Sequence, residues 1–213
     1  MSLANLAKRI PKACFGVLLS VLMFAASPLA VVLAAPNDLK VDKNHSTVGF
    51  RIGIMNGLSE VTGKFSDFDI ALAWDAADPT RSTVKAEIKA ASIKTGIDAR
   101  DADLRTAAFF DAEKFPTLTF QSKSVAKKDG HYLVTGDFTM HGVTKEVTLD
   151  VLPTGEVKSP KDILRGFKAT LRLNRTDFGM KWKHSAVPDY VSDFVEVEIN
   201  IIAREALSPP KTP

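Results

Sequence analysis

Residues 47–54 read Thr47-Val48-Gly49-Phe50-Arg51-Ile52-Gly53-Ile54. Val48, Phe50, Ile52 and Ile54 occupy every second position, with Thr47, Gly49, Arg51 and Gly53 between them. A period of two places the two sets on opposite faces of a pleated strand, here one apolar and one wet. Working outward, the same period recurs. Phe68, Ile70, Leu72 and Trp74 carry it, as do Val84, Ala86, Ile88 and Ala90. Further on come Leu118 and Phe120, then Tyr132, Val134, Gly136 and Phe138, then Val147, Leu149 and Val151. Phe167, Ala169, Leu171 and Leu173 follow, and Val195, Val197, Ile199 and Ile201 close the series around Glu196 and Glu198.

Turn-forming residues separate these runs: Met55-Asn56-Gly57, Asp78-Pro79, Lys128-Asp129-Gly130, Met140-His141-Gly142 and Pro153-Thr154-Gly155. Roughly eight such strands with short connections predict an all-β antiparallel fold, either a sandwich or a barrel. One stretch departs from the period. Asp98 to Phe110 is rich in Ala, Asp, Arg and Leu and predicts a short inserted helix, with Asp98 as N-cap. Leu104 and Ala108 share its apolar face; Asp101, Asp103 and Arg105 fall largely on the wet one. Pro116 ends anything helical. The inward set mixes Phe50, Phe68, Trp74 and Phe138 with the small Ala86, Ala90, Gly136 and Ala169. Small inward residues leave room for a cavity, but they also suit a filled, tapering core.

The N-terminus carries a different signal. Lys8, Arg9 and Lys12 precede an uncharged, Val/Leu/Ala/Phe-rich stretch that ends at Val32-Leu33-Ala34-Ala35. This is the layout of a secretory signal peptide, 1–34, with cleavage after Ala34. An uncleaved anchor of similar length is the alternative. Cys14 precedes the apolar core, so it does not read as a lipid-attachment cysteine. The chain has 28 basic and 25 acidic residues, and three of the basic ones lie in the leader, so 25 of each remain beyond it. A neutral body gives no footprint for nucleic acid. The only Cys is also in the leader. The remainder has no disulfide or thiol chemistry, and about 179 residues bury a sufficient core without either. Residues 35–205 then form one domain, and 206–213, with Pro209, Pro210 and Pro213, a frayed tail. Export without cysteines suits a bacterial periplasm.

The residue types that carry chemistry are sparse. His45, His131, His141 and His184 lie at least ten positions apart, so no metal site is expected. His45 and His141 sit at corners where hydrogen bonding to backbone is the ordinary role. There is no Gly-x-Ser-x-Gly nucleophile and no phosphate-binding glycine loop. Phe65, Phe68, Trp74, Phe138 and Trp182 could form a base-stacking platform. In a neutral body they read as core or cavity lining.

Several blocks together resemble the YceI family. They are Val41-Asp42-Lys43-Asn44-His45-Ser46-Thr47-Val48-Gly49-Phe50, Val61-Thr62-Gly63-Lys64-Phe65-Ser66-Asp67-Phe68 and Ala91-Ser92-Ile93-Lys94-Thr95-Gly96, running into Arg100-Asp101, Leu104 and Phe109-Phe110-Asp111. Phe115 to Phe120, Gly136 to Lys145 and Asn174 to Met180 follow in order, and the likeness spans about Leu39 to Ala203. The resemblance implies an eight-stranded, antiparallel, lipocalin-like β-barrel with an elongated apolar interior. It further implies a polyisoprenoid or similar long-chain lipid as ligand and no other cofactor.

On that reading the tail lies along Val48, Phe50, Ile52, Phe65, Phe68, Ile70, Trp74, Phe138, Leu171 and Trp182. Arg100, Arg175 and His45 are candidates for a headgroup, and Lys64 is a further cation near it; ion pairing is their competing role. The expectation is a non-enzymatic periplasmic carrier, with transient inner-membrane contact and homodimerisation left open. Two rivals are an enzyme acting on a lipid-like substrate and a solid-cored accessory module for a membrane redox or stress system.

Overall fold

The computed structural model describes residues 35–207, so the leader and all but the first two residues of the expected tail lie outside the described residues. Eleven strands and one α-helix follow in order. β1 (Asn37–Val41), β2 (Thr47–Ile54), β3 (Ser59–Phe65), β4 (Phe68–Trp74), β5 (Thr83–Lys89) and β6 (Ile93–Lys94) precede α1 (Asp98–Arg105). β7 (Thr117–Lys128), β8 (His131–Met140), β9 (Val143–Lys158), β10 (Asp162–Asn174) and β11 (Val191–Ala206) follow it. All pairings are antiparallel, and β1-β4-β5-β7-β8-β9-β10-β11 closes on itself through β1–β11, giving an eight-stranded barrel. β2, β3 and β6 continue β1, β4 and β5 past bends, so these three positions in the wall are each two strands long.

Hydroxyl groups supplement the backbone hydrogen bonds across the bends. Buried Ser46 accepts from the Ile202 amide at 3.0 Å, filling a gap in the β11 ladder. Ser92 accepts from the Asp67 amide at 3.1 Å and donates to the Lys89 carbonyl at 2.7 Å. Without these groups each bend would leave backbone donors or acceptors unpaired. β5 pairs with β7, but β6 turns away to pair with β3, and residues 95–116, including α1, span the opening that results.

Three tight corners have the expected turn chemistry. Asp129-Gly130 and His141-Gly142 have φ of 48° and 83°, and of 52° and 75°, the left-handed pair that a two-residue hairpin requires. Met55, Asn56 and Gly57 are likewise left-handed. The Pro153-Thr154-Gly155 turn is a correction. β9 runs straight through it, and Thr154 is the extra residue of a bulge opposite Gly166–Phe167. The chain turns instead at residues 159–161, where Ser159 caps Asp162. Turns and bulges draw on the same residue types, so composition did not separate them.

The helix is shorter than expected. It starts after Ile97, which makes no side-chain cap, so Asp98 is its first residue and not the N-cap. It ends at Arg105, beyond which residues 106–115 form turns. Asp101 is a second correction. It is 1% exposed, well inside the surface its helix position suggested.

Candidate functional site

A cavity of about 870 Å³ fills the barrel, lined by side chains from all eight wall positions. Its wall is built in cross-strand rows. Val48, Ile199 and Ala169 are direct neighbours in register, as are Phe50, Val197 and Leu171, and Ile52, Val195 and Leu173. Ile70, Ala86, Phe120 and Phe138 form the opposite row. Val195, Val197 and Ile199 all line the cavity and are only half-buried. Inward side chains of a filled barrel would be fully covered; the surface these retain faces the chamber.

The two ends differ. At the base, Trp74 meets Tyr132 and Phe167 edge-on, with centroids 5.7 Å and 5.2 Å apart. These rings come from β4, β8 and β10, none adjacent in the wall, so their contacts cross the lumen. At the other end the cavity reaches Met55, Phe109, Trp182 and Tyr190. Phe109 packs on Trp182 at 5.2 Å, and Met55 donates its amide to the Tyr190 carbonyl at 2.6 Å. Asp103, Thr106 and Ala108 line this end and are exposed, which makes it the mouth.

Two buried polar side chains hold the irregular backbone there. Asp101 accepts from the Thr95 amide at 2.8 Å and the Thr95 hydroxyl at 2.6 Å. The Thr95 hydroxyl bond is the main influence holding its carboxyl below the usual aspartate range, against the opposing effect of burial. Arg105 fastens the same helix to β6 by donating to the carbonyls of Ala91 at 2.8 Å and Ile93 at 3.1 Å. Arg175 is 5% exposed and donates to the carbonyls of Met180 at 2.6 Å, Ser192 at 2.9 Å and Val191 at 3.4 Å, and to Asp193 at 3.0 Å. Burial pulls its pKa below the ordinary arginine value, and the Asp193 charge opposes that. Sequence reasoning placed Asp101 on the surface and gave no weight to Thr95. An Asp-to-backbone anchor six residues away leaves no periodic signal.

The expected tail-contact residues divide as follows. Val48, Phe50, Ile52, Phe65, Ile70, Trp74, Phe138, Leu171 and Trp182 line the chamber. Phe68 does not. It is 4% exposed, packed with Ile88, Ile93 and Phe178 in the core shared with Leu104 and Phe110 from the helical segment. Of the four small inward residues, Ala86 and Ala169 line the chamber. Ala90 is wholly buried, and Gly136 lies beneath the Phe120 ring and the Gln121 carbonyl.

The headgroup candidates also separate. Arg175 touches the chamber but spends its donors on protein carbonyls. His45 lies outside the chamber lining, exposed, bonded through Nδ1 to the Asp42 carboxylate at 2.9 Å and not to backbone as expected. Lys64, on β3, is likewise absent from the chamber lining, and Arg100 is part of it. Among the described residues no three His, Cys, Asp or Glu side chains converge as metal ligands.

An eight-position antiparallel barrel around one apolar chamber is lipocalin-like in architecture, a form that can hold a single small ligand. The YceI-like domain model matches residues 39–203, and the chain belongs to that family. Protein YceI of Escherichia coli O6:H1 is 37% identical over 191 residues, covering 88% of this chain and 96% of the relative. The crystal structure of Burkholderia cenocepacia BcnA superposes with a TM-score of 0.69 at 22% identity, over 76% of this chain and 99% of that one. A polyisoprenoid-binding domain from Saccharophagus degradans superposes with a TM-score of 0.57 at 18% identity, over 81% and 99%. At these identities the two superpositions speak for the fold.

Proposed function

We propose that this protein binds one long-chain apolar lipid of isoprenoid type in the barrel and carries it in the periplasm. The observation that carries the reading is the chamber of about 870 Å³ with its nearly continuous hydrocarbon wall. That volume is in the upper part of the range usual for small-molecule sites. Each lipid CH₂ moved from water into such a wall gains about 0.8 kcal/mol, so a prenyl chain has ample driving force without a polar contact. The S. degradans domain, alike in fold, is described as polyisoprenoid-binding. The periplasmic location rests on the leader pattern of residues 1–34. The chamber speaks against a solid-cored accessory module. An enzyme would need a reactive cluster inside, and the inner wall offers mainly aliphatic and aromatic groups.

The test is native mass spectrometry and organic extraction of the purified protein, followed by titration with farnesol and geranylgeraniol. A co-purified lipid and saturable, stoichiometric binding are expected. Preparations free of lipid that bind neither alcohol saturably would overturn the reading.

A further inference from the structure

We propose that Arg100 seats an anionic headgroup, a phosphate or a carboxylate, at the mouth of the chamber. This rests on the lipid-binding reading and adds to it the chemistry of the ligand's polar end. Among the described residues, Arg51, Arg81, Arg165, Arg172, Arg175 and Arg204 each pair with a carboxylate. Arg100 and Arg105 do not. Arg105 spends its guanidinium on two backbone carbonyls of the wall and is not part of the chamber lining. Arg100 does line the chamber and is half-buried.

Its geometry is set from one side only. Nε donates to the Thr95 hydroxyl at 2.8 Å and Nη2 to the Thr95 carbonyl at 3.0 Å, while Nη1 has no hydrogen-bond partner among the described residues. Thr95 is in turn held by the buried Asp101 through its amide and hydroxyl. The guanidinium is therefore pre-positioned by a two-step relay, and little side-chain freedom is lost when an anion binds. A guanidinium presents parallel donors suited to two oxygens of one phosphate or carboxylate. Beside an apolar wall the attraction is less screened than on an open surface. Arg175 cannot serve, because its donors are taken by carbonyls, and His45 is not at the chamber.

The Asp103 carboxylate, one turn along α1 from Arg100, lines the same end of the chamber and has no ion-pair partner among the described residues. It predicts a second effect of opposite sign, since a carboxylate there opposes a bound anion.

The experiment compares geranylgeranyl phosphate with geranylgeraniol, and palmitate with hexadecanol, on the wild-type protein and on Arg100→Gln, Arg100→Lys and Asp103→Asn. The wild type should prefer at least one anion to its matched alcohol by about tenfold or more, equivalent to roughly 1.4 kcal/mol. The two pairs show whether phosphate or carboxylate is the head accepted. Arg100→Gln should lose the preference, its affinity for the anion falling to that for the matched alcohol, Arg100→Lys should keep part of it, and Asp103→Asn should raise it; the loss is of the order of a single charge-assisted hydrogen bond. No preference in the wild type, or the full preference surviving in Arg100→Gln, would overturn the headgroup seat while leaving tail binding intact. Failure of every ligand, alcohols included, would overturn the lipid reading and the seat with it. If Arg100→Gln does not fold, the Asp103→Asn arm decides: an unchanged preference overturns the proposal.

Discussion

The base and the mouth of this barrel are held by different means. At the base the backbone ladders run to the strand ends, and charge pairs stitch neighbouring strands. Arg165 bridges Glu156 of β9 and Glu205 of β11, Arg204 pairs with Asp162, and Asn37 bonds Glu205 at 2.6 Å. Rings from β4, β8 and β10 meet inside. At the mouth the ladders give way to turns, and two buried side chains, Arg175 and Asp101, bind the loose backbone point by point. The difference teaches that stability and access are divided along the axis. Strand pairing, charge pairs and a ring cluster hold one end, and a few replaceable side-chain anchors shape the other.

The largest expected effect is at Arg175. Arg175→Met leaves three carbonyls and Asp193 without their partner, which should cost about 3–5 kcal/mol in denaturant unfolding. Hydrogen exchange should rise most in residues 176–193. Equal loss of protection in the base strands would mean that the two ends are one cooperative unit and would break the comparison.

A smaller effect is expected at Gly63, which pairs directly with Phe50 and lies under its ring. A methyl group in Gly63→Ala collides with that ring, and since the ring is the movable partner it should swing into the chamber. Stability should change by roughly 1 kcal/mol, in the range of small overpacking. The longest bound prenyl alcohol should become shorter, as read by native mass spectrometry across a chain-length series. An unchanged length limit would place Phe50 outside the path of the tail.

The smallest effect is with acid. Asp101 titrates below its ordinary value, so its bonds to Thr95 support the mouth at every pH above that value. The support fades as pH falls below about 4 and through the depressed folded value. Thermal melts near pH 7 and near pH 3 should therefore show a smaller acid loss for Asp101→Asn than for wild type. Equal losses would assign the acid sensitivity to base carboxylates such as Glu156 and Asp162, whose pKa values are also lowered.

Much of the wall was legible because alternation is a local property. Val195, Val197 and Ile199 announce an inward face whatever lies across from them. What alternation cannot report is the occupant of the space ahead of that face. Phe68 continues the same inward series as Ile70, yet it is buried in the core that the helical segment shares, far along the chain. Asp101 carries the polarity of a surface residue, and only the fold of Thr95 back onto it makes it an anchor. Bends at residues 42–46, 66–67 and 90–92 were invisible because apolar periodicity resumes after each of them. The resemblance to the YceI family, resting on motif order, supplied the closure that periodicity left open between barrel and sandwich.

The hydrocarbon rows have one consequence for the occupant. Between the ring cluster and the rim, the rows of the wall are hydrocarbon at every level, so they offer no polar landmark along the axis. A tail held there would slide and spin like a rod in an oiled sleeve, keeping freedom that a keyed pocket would remove. Position and identity must then be decided where the sleeve stops.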